Sequence, residues 1–131
     1  MPRTVYLCGP INGCDDTQAN GWRAEASAAL VAAGLTVLDP MRRDFRGVEC
    51  DHVKAIVAGD LFDIQVSDVL LVNAFRPSWG AGMELMYAAR YVYRKTIVAF
   101  GAGPNPSPWL VYHCDKLFPD LAAALEHILK R

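Results

Sequence analysis

No apolar run in the sequence approaches the ~20 residues that a membrane-spanning helix needs. Neither sign of charge dominates: thirteen Lys and Arg stand against fourteen Asp and Glu, a formal net charge of −1. That balance removes the electrostatic signature of a duplex nucleic-acid binder. Cysteine is sparse, with Cys8, Cys14, Cys50 and Cys114 scattered and no C-x-x-C pair. Nothing suggests secretion, so reduced thiols are expected rather than two disulfides. Cys50/His52 and His113/Cys114 lack the spacing of a zinc module. There is no Walker A sequence and no G-x-S-x-G, and Gly101-Ala102-Gly103 has Pro106 where a dinucleotide fingerprint needs its third Gly. The apolar stretch after Arg3 is far too short for a signal peptide. These absences predict a soluble, cytoplasmic protein without a metal site and without a membrane or duplex nucleic-acid partner.

What is present suits a packed globule. The 131 residues are 53% apolar and 21% charged, which predicts one domain over residues 1–131. Val5-Tyr6-Leu7-Cys8 reads as a short buried strand that stops at Gly9-Pro10. Gly9 to Asp16 is a polar loop. Trp22, Ala26, Ala29, Leu30 and Ala33 recur at helical spacing within 17–33, and Gly34 stands where a helix C-cap belongs. Leu35–Leu38 is a second strand. Asp51 to Ile64 returns to helical spacing with Asp51 as a candidate N-cap. Val69–Val72 is a continuous apolar run, as in a central parallel strand. Gly80 to Tyr93 reads as a helix and Thr96–Phe100 as a fourth strand. Gly101–Pro108 is a loop, Trp109–Cys114 has no clear period, and Asp120–Leu129 is a final amphipathic helix. Strands alternating with helices predict an α/β fold, a small doubly wound parallel sheet of four or five strands, flavodoxin-like in order. The helix carrying Met83, Met86, Tyr87, Tyr91 and Tyr93 has more large apolar groups than one face can bury, which predicts a homodimer or higher homo-oligomer.

In such a sheet ligands bind beyond the carboxyl ends of the strands, at the switch point. That places the loops Gly9–Asp16 and Asn73–Trp79 together. Gly9, Ile11, Asn12 and Gly13 let backbone amides approach a ligand. Ser78, Gly80 and Gly82 open a helix, whose free N–H groups suit an anion, while Ser78 alone would also serve as an ordinary cap. Glu84 stands in an apolar segment where a carboxylate is rare without a reason, as nucleophile, as base, or as an Arg partner. Asp60 lies on the preceding helix beside Gly59, a residue that weakens a helix and hints at a packing or ligand role. Asp68 precedes its strand and reads as a turn residue; Asp15 and Asp16 read as a solvated turn. Arg42, Arg43 and Arg46 form a basic loop on the side of the switch point, read either as solvated or as the source of one arginine, Arg43, that closes over a phosphate or base.

Three blocks together carry a resemblance: Val5-Tyr6-Leu7-Cys8-Gly9-Pro10; Asp60-Leu61 with Ser67-Asp68-Val69; and Ser78-x-Gly80-x-Gly82-x-Glu84-Leu85. Their order and spacing over about residues 4–100 resemble the nucleoside 2-deoxyribosyltransferase family, which includes hydrolases of nucleoside 5′-monophosphates. The resemblance implies that Glu84 is the nucleophile that captures C1′, that Asp60 assists at the nucleobase, and that Tyr6 holds the Glu84 carboxylate. It implies that Ser78 belongs to the nucleotide branch, where Ser binds a 5′-phosphate, rather than to the nucleoside branch, where Asp binds a 5′-hydroxyl. Asn105 or Ser107 is implied as a residue lent to a neighbouring subunit. Leu7, Ile11, Trp22, Trp79 and Met83 are the residues expected to choose the base. No cofactor or metal is needed, because cleavage of an N-glycosidic bond develops oxocarbenium character that a carboxylate can trap. The competing readings are base exchange between deoxynucleosides, a non-catalytic nucleotide-binding module, and a flavodoxin-like binder of another phosphate ligand.

Overall fold

A computed structural model describes residues 3–93 and 95–130. Five strands form one sheet: β1 (Thr4–Cys8), β2 (Thr36–Leu38), β3 (Val69–Asn73), β4 (Thr96–Phe100) and β5 (Lys116–Phe118). Their order is β2-β1-β3-β4-β5, and every neighbouring pair is parallel. The helices are α1 (Trp22–Ala32), α2 (Val53–Val66), α3 (Trp79–Arg90), α4 (Pro108–His113) and α5 (Leu121–Leu129). This is the doubly wound, flavodoxin-like α/β sheet the pattern predicts. None of the described helices is long and apolar enough to cross a membrane.

Side-chain alternation divides each strand between two layers. Val5, Leu7, Val69, Leu71, Val98 and Phe100 pack with Ala26 and Leu30 of α1 and with Ala124, Leu125 and Ile128 of α5. Tyr6, Cys8, Leu70, Val72, Ile97 and Ala99 face the opposite way, onto Ile64 of α2 and Leu85 and Ala88 of α3. Strands buried on both faces need no polar alternation, so β1, β3 and β4 read as apolar runs.

The differences from the sequence reading lie at ends and edges. α1 is preceded by one wide π-type turn, Thr17–Gly21. Asp51 closes a separate 3-10 turn, and α2 begins at Val53 after His52, without a side-chain cap. α3 ends at Arg90, so Tyr91 and Tyr93 lie beyond it. The unassigned stretch after Pro108 supplies α4 and the edge strand β5. Asp120 caps α5, its carboxylate accepting from Ala123 N at 2.9 Å. Asp68 stays at the amino end of the sheet and accepts from Thr4 N at 2.8 Å.

Candidate active site

Tyr6 and Cys8 are two residues apart on β1, so both point into the α2/α3 layer. Glu84 stands in the second turn of α3 and reaches back to meet them. Tyr6 Oη donates to Glu84 Oε2 at 2.8 Å, and Cys8 Sγ lies 3.5 Å from Oε1. The two carboxylate oxygens thus face two donors from the same strand, the thiol being shared with Ala81 O at 3.6 Å. From α2, Asp60 lines the same cleft and interacts electrostatically with Glu84. Burial, followed by the Asp60 charge, pushes the Glu84 carboxyl up to about 8, against the opposing pull of the Tyr6 and Cys8 hydrogen bonds and the Arg23 charge. Burial also raises Asp60, while Glu84 and Arg43 pull it back. Two interacting carboxyls titrate as a pair, and burial favours keeping a proton on it. Burial first, and the Glu84 charge second, push the Tyr6 phenol far above its ordinary value, so it remains a donor.

The pair lies at the wall of a cleft of about 620 Å³. One side of the cleft is the loop after β1 (Gly9, Ile11, Asn12) and the start of α3 (Ser78, Trp79, Gly80, Ala81). The other is Pro40 to Glu49 and the outer turns of α2, with Phe45, Val53, Ile56 and Val57 offering apolar surface. Such a mixture, mostly apolar with a few convergent polar groups, suits a small organic ligand. Ser78 caps α3: its Oγ accepts from Ala81 N at 3.3 Å. As an acceptor in that bond, the hydroxyl keeps its own proton for a ligand.

The structure thus brings Tyr6, Gly9, Ile11, Asn12, Arg43, Asp60, Ser78, Gly80 and Glu84 to one place. It does not bring Gly13 or Gly82 there. Gly13 has φ +77° and lies against the Arg76 guanidinium, where a Cβ would come within 3.2 Å of Nη2. Gly82 faces a second cavity of about 430 Å³ on the far side of α3, which Ser107 also lines while capping α4. Asn105 is exposed. Of the residues expected to choose a base, only Ile11 and Trp79 line the cleft. Leu7 points to the other layer, Trp22 packs edge-on against Phe100 at 5.6 Å, and Met83 projects outward.

The arginine loop is arranged differently from the expected clamp. Arg43 Nη2 lies 2.7 Å from Asp63 Oδ2 and 3.5 Å from Asp60 Oδ1. Arg42 reaches the same Asp63 oxygen at 2.7 Å. Gly59 eases this approach, since a Cβ there would sit 3.1 Å from Arg43 Nη2 and the guanidinium would have to shift. Arg46 is bound to Asp44 and Asp16.

Two buried charges escaped the sequence reading. Asp63 is three residues after Asp60, hence on the same helix face. Arg23 is three before Ala26 and seven before Leu30, so it lies on the buried stripe of α1. It is 1% exposed and donates to the carbonyls of Leu7 (2.6 Å) and Gly9 (3.0 Å) and to Asp39 (3.2 Å). It thereby fixes the carboxyl end of β1, where the cleft begins.

The profile of a family described as a domain of unknown function, DUF4406, matches residues 3–98. The chain belongs to that family. No curated protein matches this DUF4406 chain in sequence. Among solved structures it is similar to a 2-deoxyribosyltransferase from the psychrotolerant bacterium Bacillus psychrosaccharolyticus, with TM-score 0.73 and 19% identity over 98% of this chain and 91% of that one. It is also similar to a conserved protein from Enterococcus faecalis V583, with TM-score 0.62 and 12% identity over 99% and 96% of the two chains. At these identities the likeness is one of fold.

Proposed function

We propose that this protein cleaves the N-glycosidic bond of a (deoxy)nucleoside 5′-monophosphate through a covalent glycosyl-Glu84 intermediate, releasing the free base by hydrolysis. The observation that carries the reading is the Glu84 carboxylate, held by Tyr6 and Cys8 beside Asp60 at the wall of an open cleft. A structural carboxylate in that layer would be expected to have an arginine directly upon it; this one faces a second carboxyl instead.

In the first step the proton that burial favours on Glu84 passes to Asp60, and Glu84, now a carboxylate, attacks C1′. The C1′–N bond breaks with its electron pair passing to the base, which takes the proton held by Asp60. Such protonation contributes typically ~10²–10⁴-fold. In the second step water attacks C1′, its proton passes to Asp60, and the C1′–O bond to Glu84 breaks. The proton shared by the pair supplies the first step and is restored in the second. Tyr6 and Cys8 keep the carboxylate aimed, and the chemistry needs no cofactor.

The fold likeness to a 2-deoxyribosyltransferase favours a second outcome of the same intermediate, in which a free base rather than water attacks C1′. The test is to incubate the protein with nucleosides and monophosphates, with and without added base, and to separate the products. Base release supports hydrolysis, exchange supports transfer, and silence with every substrate overturns both. Ser78→Asp sharpens the branch: it sets a carboxylate against a phosphate, so a preference for monophosphates should shrink or invert. We also propose that the protein is cytoplasmic and a homodimer through α3 and α4. Trp79, Met83, Tyr91, Trp109 and Tyr112 are each more than half exposed there, and light scattering after gel filtration would test it.

A further inference from the structure

Three arginines line the cleft: Arg43, Arg46 and Arg76. Two already have carboxylate partners. Arg43 is bound by Asp63 and Asp60, and Arg46 by Asp44 and Asp16. Arg76 meets no carboxylate among the described residues. Among the described residues its Nη2 donates to Asn12 O at 2.6 Å and to Cys14 Sγ at 3.1 Å, its guanidinium lies 5.8 Å from the Phe75 ring centre, its Nε is enclosed without a partner, and its Nη1 makes no hydrogen bond. A partly buried cation with no counter-charge in the fold is an unfavourable arrangement that an anionic ligand would relieve.

The position of Arg76 adds a direction. It stands two residues before Ser78, whose hydroxyl keeps a free proton, and both line the cleft near the opening of α3. Glu84 follows Ser78 by six residues, about 9 Å along a helix axis, with its side chain leaning back toward the opening. The Asp60–Glu84 pair repels an anion from the inner end of the cleft. A ligand with a sugar carbon at Glu84 and a phosphate attached beyond the sugar would have its phosphate at the Arg76 end.

We infer that Arg76, together with the Ser78 hydroxyl, reads the 5′-phosphate, and that Arg43 does not. Arg43 is a positioning residue, fixed by Asp63 and acting on Asp60. The inference rests on the nucleotide reading above but has its own readout, which is binding rather than turnover.

The experiment is calorimetric titration of the intact chain with a panel of nucleoside 5′-monophosphates, the matching nucleosides and inorganic phosphate. The wild type should bind its best monophosphate about tenfold or more tighter than the matching nucleoside, as expected for hydrogen bonds to a charged group. Arg76→Gln should erase that preference and leave nucleoside affinity unchanged. Arg43→Gln should weaken both ligands alike. A wild type that binds the two equally, or an Arg76→Gln variant that keeps the preference or weakens both ligands together, overturns the assignment. Should Arg76→Gln fail to fold, because the bond to Asn12 is lost, Arg76→Lys asks the same question with charge kept and fork geometry removed. Monophosphate affinity should then fall alone, and an unchanged affinity would overturn it. Phosphate discrimination without base release from any substrate would sustain Arg76 and overturn the catalytic reading.

Discussion

The two faces of this sheet are made from alternate residues of the same strands, yet they do different work. On β1, Val5 and Leu7 enter a layer of aliphatic and aromatic side chains closed by α1 and α5, with one buried charge, Arg23, at the carboxyl end of the strand. Tyr6 and Cys8, each one residue along, enter a layer that holds a phenol, a thiol, Glu84 and the Asp60–Arg43–Asp63 chain. The first layer is held by contact, except where Arg23 bonds to the end of β1 and to Asp39. The second contains groups whose charged forms are disfavoured by burial and that hold their places through hydrogen bonds. A single strand can therefore serve stability with its odd positions and chemistry with its even ones, because a one-residue step reverses the face.

The sharpest way to break this contrast is Glu84→Gln. The substitution is nearly isosteric, so the fold should persist while turnover falls at least about a thousandfold, a barrier rise of ~4 kcal/mol. Retention of more than about a tenth of the wild-type rate would remove Glu84 from the chemistry. Leu7→Ala, on the other face, should do the reverse. Denaturant unfolding should show a loss of about 2–5 kcal/mol, with the rate per folded molecule close to wild type. A rate loss matching that of a site variant would show that the faces are not independent.

The pH dependence of stability separates the layers more finely. Glu84 rises from an ordinary value of 4.5 to about 8 in the fold. Folding thus favours its protonated form. The contribution is fully present below the ordinary value and is lost as pH rises through the folded one. The slope cannot exceed about 1.4 kcal/mol per pH unit for one group. Between the two pKa values the stability gap should shift toward Glu84→Gln by about 1–3 kcal/mol, read from urea melts at mildly acidic and mildly alkaline pH. A constant gap would mean that Glu84 is not held protonated. The smallest effect is expected from Tyr6→Phe, which removes one donor from a carboxylate that retains Cys8. Activity should fall about tenfold, in line with one hydrogen bond to a charged group. Because the Tyr6 bond lowers the Glu84 pKa, the pH at which activity responds to the pair should move upward. A rate loss with an unmoved pH profile would assign Tyr6 to packing.

How far this was legible in the sequence follows from where each signal is stored. β1, β3 and β4 announce themselves because both their faces are buried. β5 does not: Lys116-Leu117-Phe118 is a three-residue edge strand with an exposed lysine, and nothing periodic marks it. α4 is hidden because its start, Ser107-Pro108, lies among prolines that read as loop. Glu84 and Asp60 stand out as carboxylates within helices of apolar residues. Cys8 does not, since a thiol in a buried strand looks like any small core residue. Arg43 was legible as a basic loop residue facing the switch point, but its partner Asp63 was not, because the direction of a loop arginine is set by tertiary packing. Arg23 was hidden for another reason. Two of its acceptors are backbone carbonyls, which no side-chain pattern displays.

Arg23 also constrains the order in which the chain can fold. Its guanidinium must leave water before α1 can dock, and its acceptors come from residues 7, 9 and 39, at sequence separations of 14 to 16. Until β1 has its final course and the Asp39 turn has arrived, docking would leave an unpaired cation in the core, which is prohibitive. The segment β1–α1–β2 should therefore assemble as one cooperative unit closed by short loops, without a stable stage in which α1 is seated alone. In native-state hydrogen exchange, amides of α1 and of the β1 and β2 strands should open together, with a common free energy distinct from that of α5.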